Sequence, residues 1–198
     1  SYVPTFSING PQVPGDRDTG LVQQANVSTE WPSVAVMPLI NLTGDQDQDY
    51  FTDGLTEELT AEIARYQEFQ VIASQSTMRF KGKMVDPRDI GRDLGVRFLL
   101  TGSVRRDSST IKVSIRLLDT TSSEEIWSES YKRKQAPYEL IAVQEEIARQ
   151  ITGAIADQYG LIKRILSKES RRKAPSDIKA YDAILRFYQY ETELTPRS

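Results

Sequence analysis

The densest cluster of chemically able side chains is acidic: Asp45, Asp47 and Asp49, followed by Asp53, Glu57 and Glu58. Carboxylates at alternate positions match the opening of a calcium loop. Tyr50 stands where that loop needs its turn glycine, and Thr56 where its bidentate Glu belongs. Asp53 with Glu57 or Glu58 has the residue types for acid and base work on a glycoside, but nothing in the spacing sets the separation this needs. Acidic residues ahead of a helix meet the partial positive charge of its exposed amides, and the run is read as a helix entry. The chain has no histidine and no cysteine. That excludes imidazole bases, thiol nucleophiles and Cys/His zinc sites. Phe80-Lys81-Gly82-Lys83 lacks the leading glycine and the trailing Ser or Thr of a phosphate loop. No catalytic residue, metal ligand or cofactor contact is assigned, and the 198 residues are expected to be non-catalytic.

Basic residues outnumber acidic ones between Arg79 and Arg116, and Arg97, Arg105, Lys112 and Arg116 are spaced to share one polar sheet face. Such a face suits phosphate. It has no aromatic side chain on which a base would stack, and the net charge is −3. A solvated face, or one covered by Glu-rich helix residues, is expected instead, with no direct nucleic-acid contact. The rival binding site is a small-ligand pocket between sheet and helices, with Asn41, Asp53 and Ser74 as its candidate lining.

These residues need elements to hold them. Residues 1–32 contain Pro4, Gly10, Pro11, Pro14, Gly15, Gly20 and Pro32 without periodicity and read as a flexible linker. The alternative is that Tyr2, Phe6, Leu21, Val22 and Trp31 pack on the domain. Ser33 to Ile40 is an almost continuous apolar run, suited to a strand covered on both faces. After a polar loop at 41–49, Leu55, Leu59, Ile63 and Tyr66 recur at helical spacing, and Val71 and Ile72 centre a second strand. A right-handed parallel crossover is expected. Asp86-Pro87-Arg88-Asp89 opens a short helix with a cap, a first-turn proline and early negative charge, and Gly95 suits its stop. Gly91 and Gly102 suit tight turns or close approach of helix and strand. Val96 to Val104 and Ile111 to Leu117 alternate apolar with polar residues, and a third strand follows at 125–132 with Ile126 and Trp127 on opposite faces. This is an antiparallel meander with one buried face. One long helix is predicted over 138–166, with Leu140, Val143, Ile147, Ile151 and Ile155 inward. A basic hinge at 167–174 and a last helix to about 193 complete the chain.

Several of these strings, taken in order, resemble the TolB amino-terminal-domain-like family. They are Ser33-Val34-Ala35-Val36-Met37-Pro38, Tyr50-Phe51-Thr52-Asp53-Gly54-Leu55-Thr56-Glu57-Glu58, Phe80-Lys81-Gly82-Lys83, Ile90-Gly91-Arg92-Asp93-Leu94-Gly95-Val96 and Leu100-Thr101-Gly102-Ser103-Val104-Arg105-Arg106. Trp127, Tyr131 and Gln144-Glu145-Glu146-Ile147-Ala148 extend the likeness, which covers residues 33–155. It implies an α/β fold: a mixed sheet with helices, anticodon-binding-domain-like, in the order β-α-β-α-β-β-β-α, plus a C-terminal helical segment. It also implies a setting between an upstream output domain, either a nucleotide cyclase or a winged-helix DNA-binding domain, and downstream tetratricopeptide repeats.

The last helix fits that setting, because Tyr181, Ile184, Leu185 and Tyr188 have the spacing of a tetratricopeptide first helix. Leu185 stands where that motif has a small residue. The expected organisation is a linker at 1–32, an α/β domain at 33–166 and the first helix of a truncated repeat at 174–198. The alternative for that helix is packing back onto its own domain. The resulting expectation is a regulatory, protein-interaction module whose partner is another protein, a second copy, or both, with Tyr181, Ile184, Leu185 and Tyr188 as candidate contacts. The ends of the chain read as cut points in a longer protein, and no apolar run reaches the ~20 residues of a membrane span. A cytoplasmic location is preferred over the periplasmic part of an anchored regulator.

Overall fold

The computed structural model describes residues 31–107, 109–134, 140–157, 160–173 and 178–194, and most of the expected linker lies outside the described residues. A run without a polar face has to sit inside, and strand β1 (Ser33–Val36) does so, with Val34, Ala35 and Val36 fully buried. The predicted single strand continues as a separate piece, β2 (Ile40–Asn41). Both pieces run parallel to β4 (Phe98–Arg106), with Val36 opposite Leu100 but Ile40 opposite Ser103. Residues 37–39 therefore span a stretch that β4 covers with one residue fewer, and the extra residue bulges at Pro38, which has no N–H for the ladder. The Leu39 N–H leaves the ladder too and donates to Thr56 Oγ1 at 3.2 Å.

Thr56 lies on α1 (Asp49–Ala64), entered through a single tight helical turn at Gln46–Gln48. Phe51, Leu55, Leu59 and Ile63 form its buried face, as the 3.6-residue period requires. β3 (Gln70–Val71) returns parallel to β1, completing the expected crossover. A short helix, α2 (Ser74–Met78), was not foreseen in the sequence. α3 (Pro87–Leu94) is capped as expected: Asp86 Oδ1 accepts from the Arg88 N–H at 2.8 Å, and Gly95 closes the helix at φ 66° in the left-handed region.

β4, β5 (Thr110–Asp119) and β6 (Glu124–Lys134) form the antiparallel meander. The sheet order is β3-β1-β4-β5-β6, with β2 also paired to β4. Gly102 is held where β4 and β5 nearly touch: a Cβ there would stand 2.4 Å from the Ser114 carbonyl oxygen. On β6 a bulge sets Leu117 opposite Trp127 but Leu118 opposite Glu125. Ile126 is the extra residue, so Ile126 and Trp127 pack on the same core rather than on opposite faces.

One sheet face is covered by α1, α4 (Leu140–Ala156) and α5 (Leu161–Arg172) over a core including Phe98, Leu100, Ile115 and Ile147. Among the described residues the other face is covered over β1, the start of β4 and the end of β5, where Ala35, Met37 and Leu99 meet Ile90 and Val96 with Leu118 beside them. The predicted single helix over 138–166 is thus two helices, broken between Ala156 and Leu161, where the Gly160 N–H turns back to the Asp157 carbonyl at 2.7 Å. α5 runs on through part of the expected hinge, and α6 (Ala180–Leu194) packs against it. No helix among the described residues is long and apolar enough to cross a membrane.

Candidate functional site

The three residues expected to line a pocket separate. Asn41 lies at the edge of a groove, but its amide builds the loop: Nδ2 donates to Asp49 Oδ1 and the Asp45 carbonyl, both at 2.8 Å, while Oδ1 accepts from the Thr43 N–H. Asp49 and Asp45 of the acidic run are engaged by neighbouring amides, and the Asp47 side chain lies outside the described residues. Asp53 is paired with Lys81 Nζ at 2.6 and 2.8 Å. Ser74 begins α2 and accepts through its carbonyl from Thr77 Oγ1.

The groove itself, about 470 Å³, lies over the less covered sheet face between the β1–β2 bulge and the segment after α2. Met37, Leu39, Leu99 and Leu118 form its apolar floor, with Lys81, Lys83 and Arg116 at its rim. Pro38 lines it at the step in register between β1 and β2.

A second site forms where the two ends of the described chain meet. The Trp31 ring packs on the Tyr181 ring of α6 with centroids 5.0 Å apart and planes tilted by 56°. Arg97, expected on the polar sheet face, lies beneath them. Its guanidinium binds both oxygens of Glu169 on α5, at 2.7 and 2.5 Å, and Asp119 Oδ2 at the end of β5, at 3.1 and 2.9 Å. The Glu169 bonds, against the opposing effect of burial, hold that guanidinium even more firmly protonated than usual. Burial alone would push the Asp119 carboxyl up, but hydrogen bonds from Thr121 and Arg97 outweigh it and leave it below the usual carboxylate range. Sequence reasoning missed this site because its members are 31, 97, 119, 169 and 181, which no local spacing relates.

Of the four residues proposed for contact on α6, Tyr181 and Leu185 are buried against the domain, Ile184 is partly exposed, and the Tyr188 side chain lies outside the described residues. Phe187 and Tyr190 extend the outward stripe beside Ile184.

The open sheet face presents three cross-strand rows. Arg105, Lys112 and Lys132 stand side by side, then Ser103, Ser114 and Ser130, then Thr101, Arg116 and Ser128. Arg105, Lys112 and Arg116 were expected here, but Lys132 was not. Among the described residues, the helices α1, α4 and α5 pack on the opposite face and not over these rows.

Residues 30–150 match the family described as the HilA/YgeH-like transcriptional regulator, second domain. The chain belongs to that family. A protein of Rhizobium meliloti (strain 1021) named "Putative adenylate cyclase 3" is 37% identical over 160 residues, which is 80% of this chain but 26% of the relative. The chain thus spans about a quarter of that protein's length. Similar solved structures include lipoprotein GNA1162 from Neisseria meningitidis, 18% identical over 62% of this chain and 99% of that one, with a TM-score of 0.46. TolB from Acinetobacter baumannii is 15% identical over 62% of this chain and 28% of its own, with a TM-score of 0.41. The expected regulatory class and mixed α/β fold are thus met by the family match and by the sheet itself.

Proposed function

We propose that this regulator domain is a non-catalytic relay, passing input received by its C-terminal helices to an output domain attached before residue 31. The observation that carries this reading is the Trp31–Tyr181 contact, which ties the incoming chain to the last helix at one point above the Arg97 clamp. A partner that moves α6 must move the segment that enters β1. The description of the family favours a DNA-binding output domain, and the name of the rhizobial relative a nucleotide cyclase. Both work in the cytoplasm, which favours that location over the periplasm. As part of the same proposal, α6 is the first helix of a tetratricopeptide array, whose next helix would cover Ile184, Phe187 and Tyr190.

The test is Tyr181→Ala in the full-length protein. Output activity should persist but stop responding to the C-terminal input. In this chain, with Trp127→Phe to isolate the signal, Trp31 emission should shift to the red. An unchanged response would sink the relay.

The groove favours a second reading, a small-ligand sensor for an amphipathic anion held by the apolar floor and the Lys81–Lys83 rim. Thermal shifts produced by such compounds should vanish in Thr101→Trp, which fills the groove, and their persistence would remove this reading.

A further inference from the structure

Strand β6 runs for 11 residues with β5 on one side and, among the described residues, no element on the other. A long open edge invites pairing with another strand. Its sequence is complementary to its own reversal. The start, Glu124-Glu125, is acidic, the end, Lys132-Arg133-Lys134, is basic, and Glu129 lies at the midpoint. We propose that a second copy of this chain pairs antiparallel along β6, about a two-fold axis through Glu129, joining the two sheets into one.

The register works residue by residue. Ser128 falls opposite Ser130 of the second copy and Trp127 opposite its Tyr131, an aromatic pair on the face covered by α4. Beyond Trp127, the bulge at Ile126 already set against β5 shifts the pairing by one. Glu125 then meets Lys132 of the second copy, and Glu124 meets its Arg133. The faces agree, since on β5 the partners of Glu125 and Lys132 are Leu118 and Lys112, both on the open face. Those of Glu124 and Arg133 are Asp119 and Ile111, both on the helical face.

The lone protomer carries a cost that this pairing offsets. Lys112 lies between Arg105 and Lys132, and like charges directly opposite one another across strands destabilise a sheet. In the paired sheet, Glu125 of the second copy ends that row with a carboxylate. An unrelated strand would have to match acid, aromatic and base in this order, whereas a second copy does so by symmetry. Glu129 meets its own counterpart on the axis, and this repulsion keeps the association reversible. The proposal does not depend on the relay, whose ring contact joins Trp31 to Tyr181 on α6 and involves no residue of β6.

Sedimentation of the whole chain over a wide concentration range tests it. A monomer–dimer equilibrium is expected, weakened about ten-fold by Lys132→Glu, which turns two attractions into two repulsions. Adding Glu125→Lys to that variant should restore association, and Glu129→Gln should tighten it. The chain has no cysteine of its own. Glu129→Cys should therefore cross-link to its counterpart on mild oxidation, because residues opposite on antiparallel strands lie within disulfide reach. Ser76→Cys on α2 should not. A chain that stays monomeric, a dimer indifferent to Lys132→Glu, or a double variant no better than the single one would each overturn the proposal.

Discussion

Asp182 shows how one buried carboxylate can tie down a helix. Both its oxygens accept from Lys173 Nζ at 2.8 Å, and Oδ2 also accepts from the Lys179 N–H at 3.0 Å. Burial alone would push this carboxyl up, but the Lys173 ammonium and the amide outweigh it and hold it below its usual value. A carboxylate lowered on folding adds stability that is complete above its unfolded pKa of about 3.9 and is lost as pH falls through the lower folded value. Asp119, lowered in the same way under Arg97, adds to that loss in the same window. Acidification from about pH 5 toward pH 2 should therefore loosen α6 before the sheet melts, read as a red shift of Trp31 emission with Trp127→Phe. Asp182→Asn should show loosened emission already at neutral pH. If Trp31 keeps its emission until the sheet unfolds, Asp182 does not govern the junction. None of this was visible in the sequence, where Asp182 is one acid among many, because its role depends on Lys173, just after α5, meeting Asp182 on α6.

Elements built from neighbours in sequence were the readable ones. The α3 cap, the α1 face and the alternation of β4 and β5 each follow from side chains within a few residues of one another. The break between α4 and α5 and the bulges at Pro38 and Ile126 follow from pairing with distant strands and helices, and periodicity carries no signal for that. Gly102 is an intermediate case, whose type suggested close approach while only the register names what it approaches. Gly102→Ala would place a methyl 2.4 Å from the Ser114 carbonyl oxygen and 2.7 Å from Ile115 Cδ1. A strand backbone cannot yield as a side-chain tip does, so a loss of about 1–3 kcal/mol is expected in urea unfolding, typical of overpacking. Unchanged stability would mean that β4 and β5 separate more easily than this ladder implies.

At the scale of the molecule, the described residues offer two surfaces for association, and they lie on different elements. The outward stripe of α6, with Phe187 and Tyr190 both more than half exposed, belongs to the C-terminal end of the chain. The β6 edge lies at the far side of the sheet from β3 and β1, where the chain enters. If the stripe is where a following helix docks, as the relay requires, and β6 is where copies pair, then the two can be separated by single substitutions. Phe187→Ser in this chain should leave the monomer–dimer equilibrium within about two-fold of its original value, because an exposed residue remote from an interface couples to it weakly. Lys132→Glu should weaken that equilibrium whether or not Phe187 is changed, and the two effects should add. Were Phe187→Ser alone to abolish the dimer, association would run through α6, and the stripe would be covered by a second copy rather than by the next helix. In that case the junction at Trp31 and Tyr181 would respond to dimerisation itself, and dilution alone should shift Trp31 emission.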